Sequence, residues 1–282
     1  MNILVTGSSG YIGNSFMNIF KNEYTFFKFS LLENSIESIN FDNTDIILHC
    51  AAIVHQKVMN DDEKYTDINM RYPVKLAKEA KKHGVKHFVF ISTIAVYGDD
   101  ALLLKEDTRC NPITSYGKSK LEAEQKLLEL KNNNFQISII RPPIVYGKNA
   151  PGNMKILLNL IKNIFVLPFG KIDNKRSMVY IGNLCHLLNE VIRQRKSGIF
   201  LASDDETIST SKLIRLIANS LEKKIYLIRI PLFETLLHLL KPSFHKKLYG
   251  SLEIDNTLTK KELNLKNPYS VEDGIKLMIQ DK

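Results

Sequence analysis

The feature that most constrains this 282-residue chain is Thr6-Gly7-Ser8-Ser9-Gly10-Tyr11-Ile12-Gly13, directly behind the apolar run Asn2-Ile3-Leu4-Val5. A short apolar run cut off by glycines reads as a buried strand that turns sharply into a helix. Gly7 would permit the tight turn, Gly10 would let backbone approach a pyrophosphate, and Gly13 would let helix and strand pack closely. The start of the helix would then offer free N–H groups and the positive end of its dipole to phosphate. The motif predicts a dinucleotide site on a strand–turn–helix unit.

The rest of the first half repeats that unit. Apolar runs at 2–6, 25–30, 45–50, 87–92 and 136–141 predict buried strands, and helical patterns at 11–21, 67–82 and 115–130 lie between them. Gly84 stands where a helix C-terminus favours glycine. Strands alternating with helices predict an α/β fold, a doubly wound parallel sheet of the Rossmann kind with right-handed crossovers. About fifteen residues separate Ser30 from Asp45, too few for a helix and another strand, so the sheet should be trimmed there. After Arg141 the rhythm changes. Pro142-Pro143 ends a strand, a loop-rich segment follows, 178–182 and 198–202 read as short strands around a helix at 183–193, and the tail from Ser211 is mainly helical. The expected division is a dinucleotide-binding domain at 1–147, with 178–203 returning to it. A smaller, mainly helical substrate-binding domain would take 148–177 and 204–282.

Composition excludes several classes. The net charge of +9 comes from lysines spread along the chain and interleaved with acids, with no nucleic-acid motif, so it reads as solvated helix faces. Three scattered cysteines (Cys50, Cys110, Cys185) make neither a disulfide framework nor a metal cluster, and no metal is expected. No apolar run approaches the ~18 residues of a membrane span. Met1-Asn2-Ile3 leads straight into the first strand without a signal-peptide pattern, which predicts a cytoplasmic protein. The stretch 231–247, apolar on most sides with lysines after it, predicts a core or homodimer helix. A membrane-surface element is the alternative.

The chemistry concentrates in two places. Ile91-Ser92-Thr93 ends a strand, where ligand crevices open in such sheets. Ser115-Tyr116-Gly117-Lys118-Ser119-Lys120 begins a helix, and i, i+4 spacing puts Tyr116 and Lys120 on one face. An ammonium beside the phenol is expected to favour phenolate, so that Tyr116 can pass a proton while Thr93 holds the substrate oxygen. The second strand lacks the acid that would grip the ribose of NAD. Glu33 comes three residues past Ser30, and Lys28 and Ser30 are nearby, which leaves NAD or NADP open.

TGSSGYIG, HCAAIVH (49–55), ISTIAVYGD (91–99), YGKSK (116–120) and RPPIVYG (141–147) resemble, in order, the extended short-chain dehydrogenase/reductases of the NAD-dependent epimerase/dehydratase family. Within it, 167–184 and 250–266 resemble UDP-N-acetylquinovosamine-forming 4-ketoreductases and related UDP-sugar 4-epimerases. The resemblance implies that Gly7, Gly10, Tyr11, Ile12 and Gly13 hold the cofactor pyrophosphate, and that Ala51, Ala52 and Pro143 line the cofactor. Asn69 would be a structural asparagine. Thr93, Tyr116 and Lys120 would be the catalytic set, with Lys120 also on the nicotinamide ribose. Asn153, Phe169 and Arg176 would contact the nucleotide of a UDP-sugar; the bland alternatives are a loop cap, core packing and an ion-pair partner. Three departures bear on the reaction. Tyr97 stands where those reductases often carry Asn, the late Arg-x-Gly-Asp segment of 4-epimerases has no match between Pro242 and Asp255, and Ile94-Ala95 replaces the Asp-Glu pair of dehydratases. The implied activity is NAD(P)-dependent reduction of the C4 keto group of a UDP-4-keto-6-deoxy-hexosamine, in surface polysaccharide precursor synthesis. A UDP-sugar 4-epimerase with tightly bound NAD is the first alternative, and a non-catalytic NAD(P)-binding sensor the second.

Overall fold

A computed structural model describes residues 1–30, 34–54, 62–99 and 101–280. β1 (Asn2–Thr6) runs through the glycine turn into α1 (Tyr11–Ile19), and β2 (Thr25–Phe29) follows. Between 34 and 45 the described chain holds only a 3-10 turn, Ile36–Ser38, so the sheet is trimmed there as the spacing predicts. β3 (Ile46–His49) leads to α2 (Asp62–Thr66), a π-helical turn Asp67–Arg71 and α3 (Tyr72–Lys82), where one straight helix was expected from residue 67. Next come β4 (His87–Ile91), the short β5 (Leu103–Leu104), α4 (Ser115–Leu128), β6 (Gln136–Arg141) and β7 (Ile144–Tyr146). α5 (Asn153–Asn163), β8 (Val166–Leu167), β9 (Met178–Tyr180), α6 (Ile181–Gln194) and β10 (Gly198–Leu201) complete the middle of the chain. The tail carries α7 (Thr210–Ser220), β11 (Tyr226–Leu227), α8 (Phe233–Leu240), α9 (Pro242–Tyr249), β12 (Glu253–Ile254), α10 (Thr257–Leu263) and α11 (Val271–Ile279).

The central sheet has six parallel strands in the order β10-β6-β4-β3-β1-β2. Successive residues of β1 feed opposite faces. Ile3 and Val5 join Phe16, Leu48, Leu184 and Val191 on one side, and Leu4 joins Ile47, Leu76, Phe88 and Leu127 on the other. Both faces are covered by helices, which is why the strands read as continuous apolar runs. The chain leaves β1 toward β2 and then returns to β3 on the opposite side of β1. A crevice therefore opens at the C-terminal ends of β1 and β3, the topological switch point. β9, expected as a further strand, pairs with β7 outside the central sheet. A third apolar cluster joins Tyr146, Met154, Phe169, Ile214 and Ile275 beside the sheet.

The prediction of a core helix at 231–247 is corrected. α8 contains no fully buried residue: only Phe233 and Leu237 on it are half-buried, and Leu236, Leu239 and Leu240 are exposed. No helix among the described residues is long and apolar enough to cross a membrane.

Candidate active site

The glycine turn is built by close approach. Gly7 sits at φ +67°, and a Cβ there would lie 2.6 Å from the Ala51 nitrogen, so the loop after β3 rests directly on it. A Cβ on Gly13 would come within 2.6 Å of the Gly7 oxygen, which lets α1 start hard against the turn. Gly10 is exposed as the N-cap residue of α1, with no side-chain cap and no acid in the first turn. The free N–H groups there face the crevice at the strand ends, a fit for a pyrophosphate. Ile12 packs into the core beside α1, and Tyr11 spans two apolar clusters, its hydroxyl buried without a partner among the described residues. Ala51 and Ala52 follow β3, and Asn69 pins the next residue by exchanging hydrogen bonds with Ile53 at 3.0 Å each way. Asn69 also donates to the Ser119 hydroxyl at 3.3 Å, so it ties the crevice loop to α4. Lys28 is exposed at the end of β2, and Glu33 lies outside the described residues.

Thr93, Tyr116 and Lys120 converge at the C-terminal end of β4. Thr93 Oγ1 accepts the Ala95 N–H at 3.1 Å, leaving its own O–H on the side of the Tyr116 phenol, where it favours the ionised form. The Thr114 hydroxyl caps α4 by accepting the Gly117 N–H at 3.1 Å, which fixes the turn that carries Tyr116. Lys120 is 1% exposed, its Nζ donates to the Ile91 carbonyl at 2.7 Å, and it lies 4.2 Å from the Phe90 ring centroid. Burial lowers the Lys120 pKa to about 7, against the pull of Cys50 and Glu124. The expected lowering of the Tyr116 pKa by Lys120 is corrected. Burial raises that phenol to about 12, opposed by the Thr93 hydroxyl, while the Lys120 charge is spent on Ile91 and the Phe90 ring.

His49 is fully buried on β3, paired to the Thr6 hydroxyl at 2.8 Å and stacked near Phe88 and Phe90. It is a packing residue. The sequence reading missed a buried network one turn further along α4. Glu124 accepts from Arg141 Nη2 at 2.5 Å and Nε at 3.1 Å, and from the Ser92 hydroxyl. Arg141 Nη1 donates to the Tyr97 hydroxyl at 2.8 Å, which in turn donates to the Lys105 carbonyl at 2.8 Å. The available signal was Glu124 at i+4 from Lys120, on the same helix face. Tyr97, a departure from the reductase pattern, is thus used for holding Arg141.

From Arg141 the chain passes Pro142, whose carbonyl accepts the Ile94 N–H at 3.2 Å, and the buried Pro143 to Ile144. Ile144 lines a cavity of about 170 Å³ that also takes in Asn153, Phe169 and Arg176. These three residues, far apart in sequence, share one space beside the crevice. Asn153 opens α5 and is exposed, Phe169 is buried with its ring on the cavity, and Arg176 donates from Nη1 to the Gly250 carbonyl at 3.1 Å. Arg176 forms no ion pair among the described residues, so its guanidinium stands partly buried without a carboxylate.

A parallel sheet with a glycine cradle at its switch point and a Tyr-x-x-x-Lys pair at the next strand end defines a dinucleotide-dependent α/β enzyme. The model of the NAD dependent epimerase/dehydratase family matches residues 3–200, and the chain belongs to that family. A UDP-glucose 4-epimerase of Vibrio cholerae is 34% identical over 99% of this chain and 94% of that protein. An N-acetyl-alpha-D-glucosaminyl-diphospho-ditrans,octacis-undecaprenol 4-epimerase of Escherichia coli O157:H7 is 26% identical over 82% of this chain and 75% of its own length. Among solved structures, the UDP-glucuronic acid 4-epimerase from Bacillus cereus in complex with NAD shares the fold. Its TM-score is 0.79 at 19% identity, covering 99% of this chain and 97% of that one.

Proposed function

We propose that the protein is a UDP-hexose 4-epimerase that works with tightly bound NAD. The observation that carries this reading is the pairing of Tyr116 with the Thr93 hydroxyl at the end of β4, together with a separate cavity lined by an Arg176 that has no carboxylate partner among the described residues. The full-length similarity to a named 4-epimerase supports it. Residues 1–147 with 178–203 would hold the cofactor, and 148–177 with 204–282 the sugar nucleotide. Gly7, Gly10 and Gly13, the main chain of Tyr11 and Ile12, and Ala51, Ala52 and Pro143 would contact NAD, which supplies reversible hydride acceptance at C4. Lys120 would hold the ribose. Tyr116 would take the proton from the sugar O4 and later give it back, with the Thr93 hydroxyl bonding that oxygen. Asn153 would meet the base through polar contacts, Phe169 would offer it a face, and Arg176 would grip the diphosphate in a bidentate way.

A second reading is reduction of the C4 keto group of a UDP-4-keto-6-deoxy-hexosamine in surface polysaccharide precursor synthesis. It is favoured by Tyr116 itself, since a phenol held at about 12 is protonated at neutral pH and ready to donate to a ketone. One assay separates the two. Interconversion of UDP-glucose and UDP-galactose, or of their N-acetylhexosamine counterparts, without added cofactor supports epimerisation. Stoichiometric oxidation of NADH or NADPH by a UDP-4-keto-6-deoxy-sugar, with no interconversion, overturns it in favour of reduction.

A further inference from the structure

We propose that the α8–α9 hairpin is a docking surface for an anionic lipid bilayer. The orientation of α8 carries the inference. Leu232, Leu236, Leu239 and Leu240 follow i, i+4, i+7, i+8 spacing and form one stripe, and they are 79%, 53%, 72% and 70% exposed. The side of the helix turned toward the protein is formed by Phe233 and Leu237, which are half-buried, while Glu234 and His238 stay exposed. His245 of α9 pairs with Glu234 at 3.5 Å and its ring lies 4.8 Å from the ring of His238. The helix is anchored from the flank of the stripe, where Phe233 meets Phe169 with ring centroids 6.4 Å apart. The helix uses only that edge for packing, so the leucine stripe is left exposed.

Charge selects the occupant. Between residues 223 and 249 the chain carries six lysines and arginines and one acid, Glu234. Lys241 directly follows the leucine stripe and Lys247 lies on α9 at the cavity, and neither forms an ion pair among the described residues, whereas Lys246 is taken by Asp99 at 2.6 Å. A second copy docked about a two-fold axis would bring these basic rims together, which disfavours that pairing. A bilayer with anionic headgroups takes both features at once, leucines into the acyl boundary and lysines onto the phosphates. α8 is eight residues long, a rod of about 12 Å, suited to lying in the interface and too short to span it. The surface is continuous with the cavity of the candidate site, since Phe244 and Lys247 of α9 line that cavity. Docking would therefore set the cavity mouth at the membrane surface.

The test is flotation of the full-length protein with phosphatidylcholine vesicles, with and without phosphatidylglycerol. The expected result is flotation with the phosphatidylglycerol vesicles that is released by high salt. Leu236→Ser/Leu239→Ser/Leu240→Ser should lower binding at least tenfold, with an unchanged circular dichroism spectrum and unchanged turnover of a soluble substrate. Lys241→Gln, which removes one exposed charge, should weaken binding about fivefold without touching the leucines. Absence of flotation overturns the proposal, and so does equal binding to neutral vesicles. A concentration-dependent dimer that dissociates in the leucine variant, without lipid binding, would assign the face to a second copy and overturn it as well.

Discussion

Lys120 makes a prediction that runs against the usual behaviour of lysines. Its usual pKa of 10.5 falls to about 7 in the folded protein, because a 1% exposed ammonium has lost its water and gained only the Ile91 carbonyl and the Phe90 face. The unfolded chain still holds that proton up to about pH 10, while the folded chain has released it. The unfolded state thus binds more protons across this window, and stability rises with pH through it. Between about pH 7 and about pH 9 the gain from Lys120 alone is about 2 kcal/mol. Cys50, pushed up to about 12, and Cys185 and Cys110, also raised by burial, oppose it once unfolded thiols ionise, together taking back about 1 kcal/mol by about pH 9. The net expectation is a rise of about 1 kcal/mol. Urea unfolding of the cofactor-free protein at several pH values measures it directly. Lys120→Met should flatten the profile over the same range and stabilise the protein at neutral pH. A flat or falling wild-type profile, or a slope that survives in Lys120→Met, would refute the argument that burial of this ammonium dominates.

Three other perturbations test the site. Glu124→Leu leaves the Arg141 guanidinium buried without its carboxylate and should cost about 3–5 kcal/mol in urea unfolding. The double variant Glu124→Leu/Arg141→Met should recover most of that loss. Gly7→Ala forces a side chain onto a φ of +67° and into the Ala51 backbone, so a loss of at least about 2 kcal/mol and failure to retain NAD on gel filtration are expected. Tyr116→Phe should reduce kcat by about 10²–10⁴ with little change in melting temperature, and an unchanged kcat would remove Tyr116 from proton transfer.

Much of the fold is legible in the sequence because its signals are local. The apolar run into Gly7, Gly10 and Gly13 specifies β1, the turn and α1 from neighbouring residues alone, and the spacing of Tyr116 and Lys120 specifies their common helix face. The alternation of strands and helices, with the short connection before β3, determines a trimmed parallel sheet for the same reason. What tertiary structure decided is the environment of each group, which depends on residues far away in the chain. Lys120 loses its charge preference to β4 and Tyr116 its acidity to burial, neither of which follows from four-residue spacing. Arg141 and Glu124 meet across 17 residues, and Asn153, Phe169 and Arg176 share a cavity only because α5, the loop after β8 and the bridge to Leu252 fold together. The leucines of α8 have the period of a buried stripe, and periodicity specifies a face without saying which way it points. That was decided by distant contacts: Phe233 packs toward Phe169 and only Leu237 joins it as half-buried, which leaves the leucines of the stripe exposed.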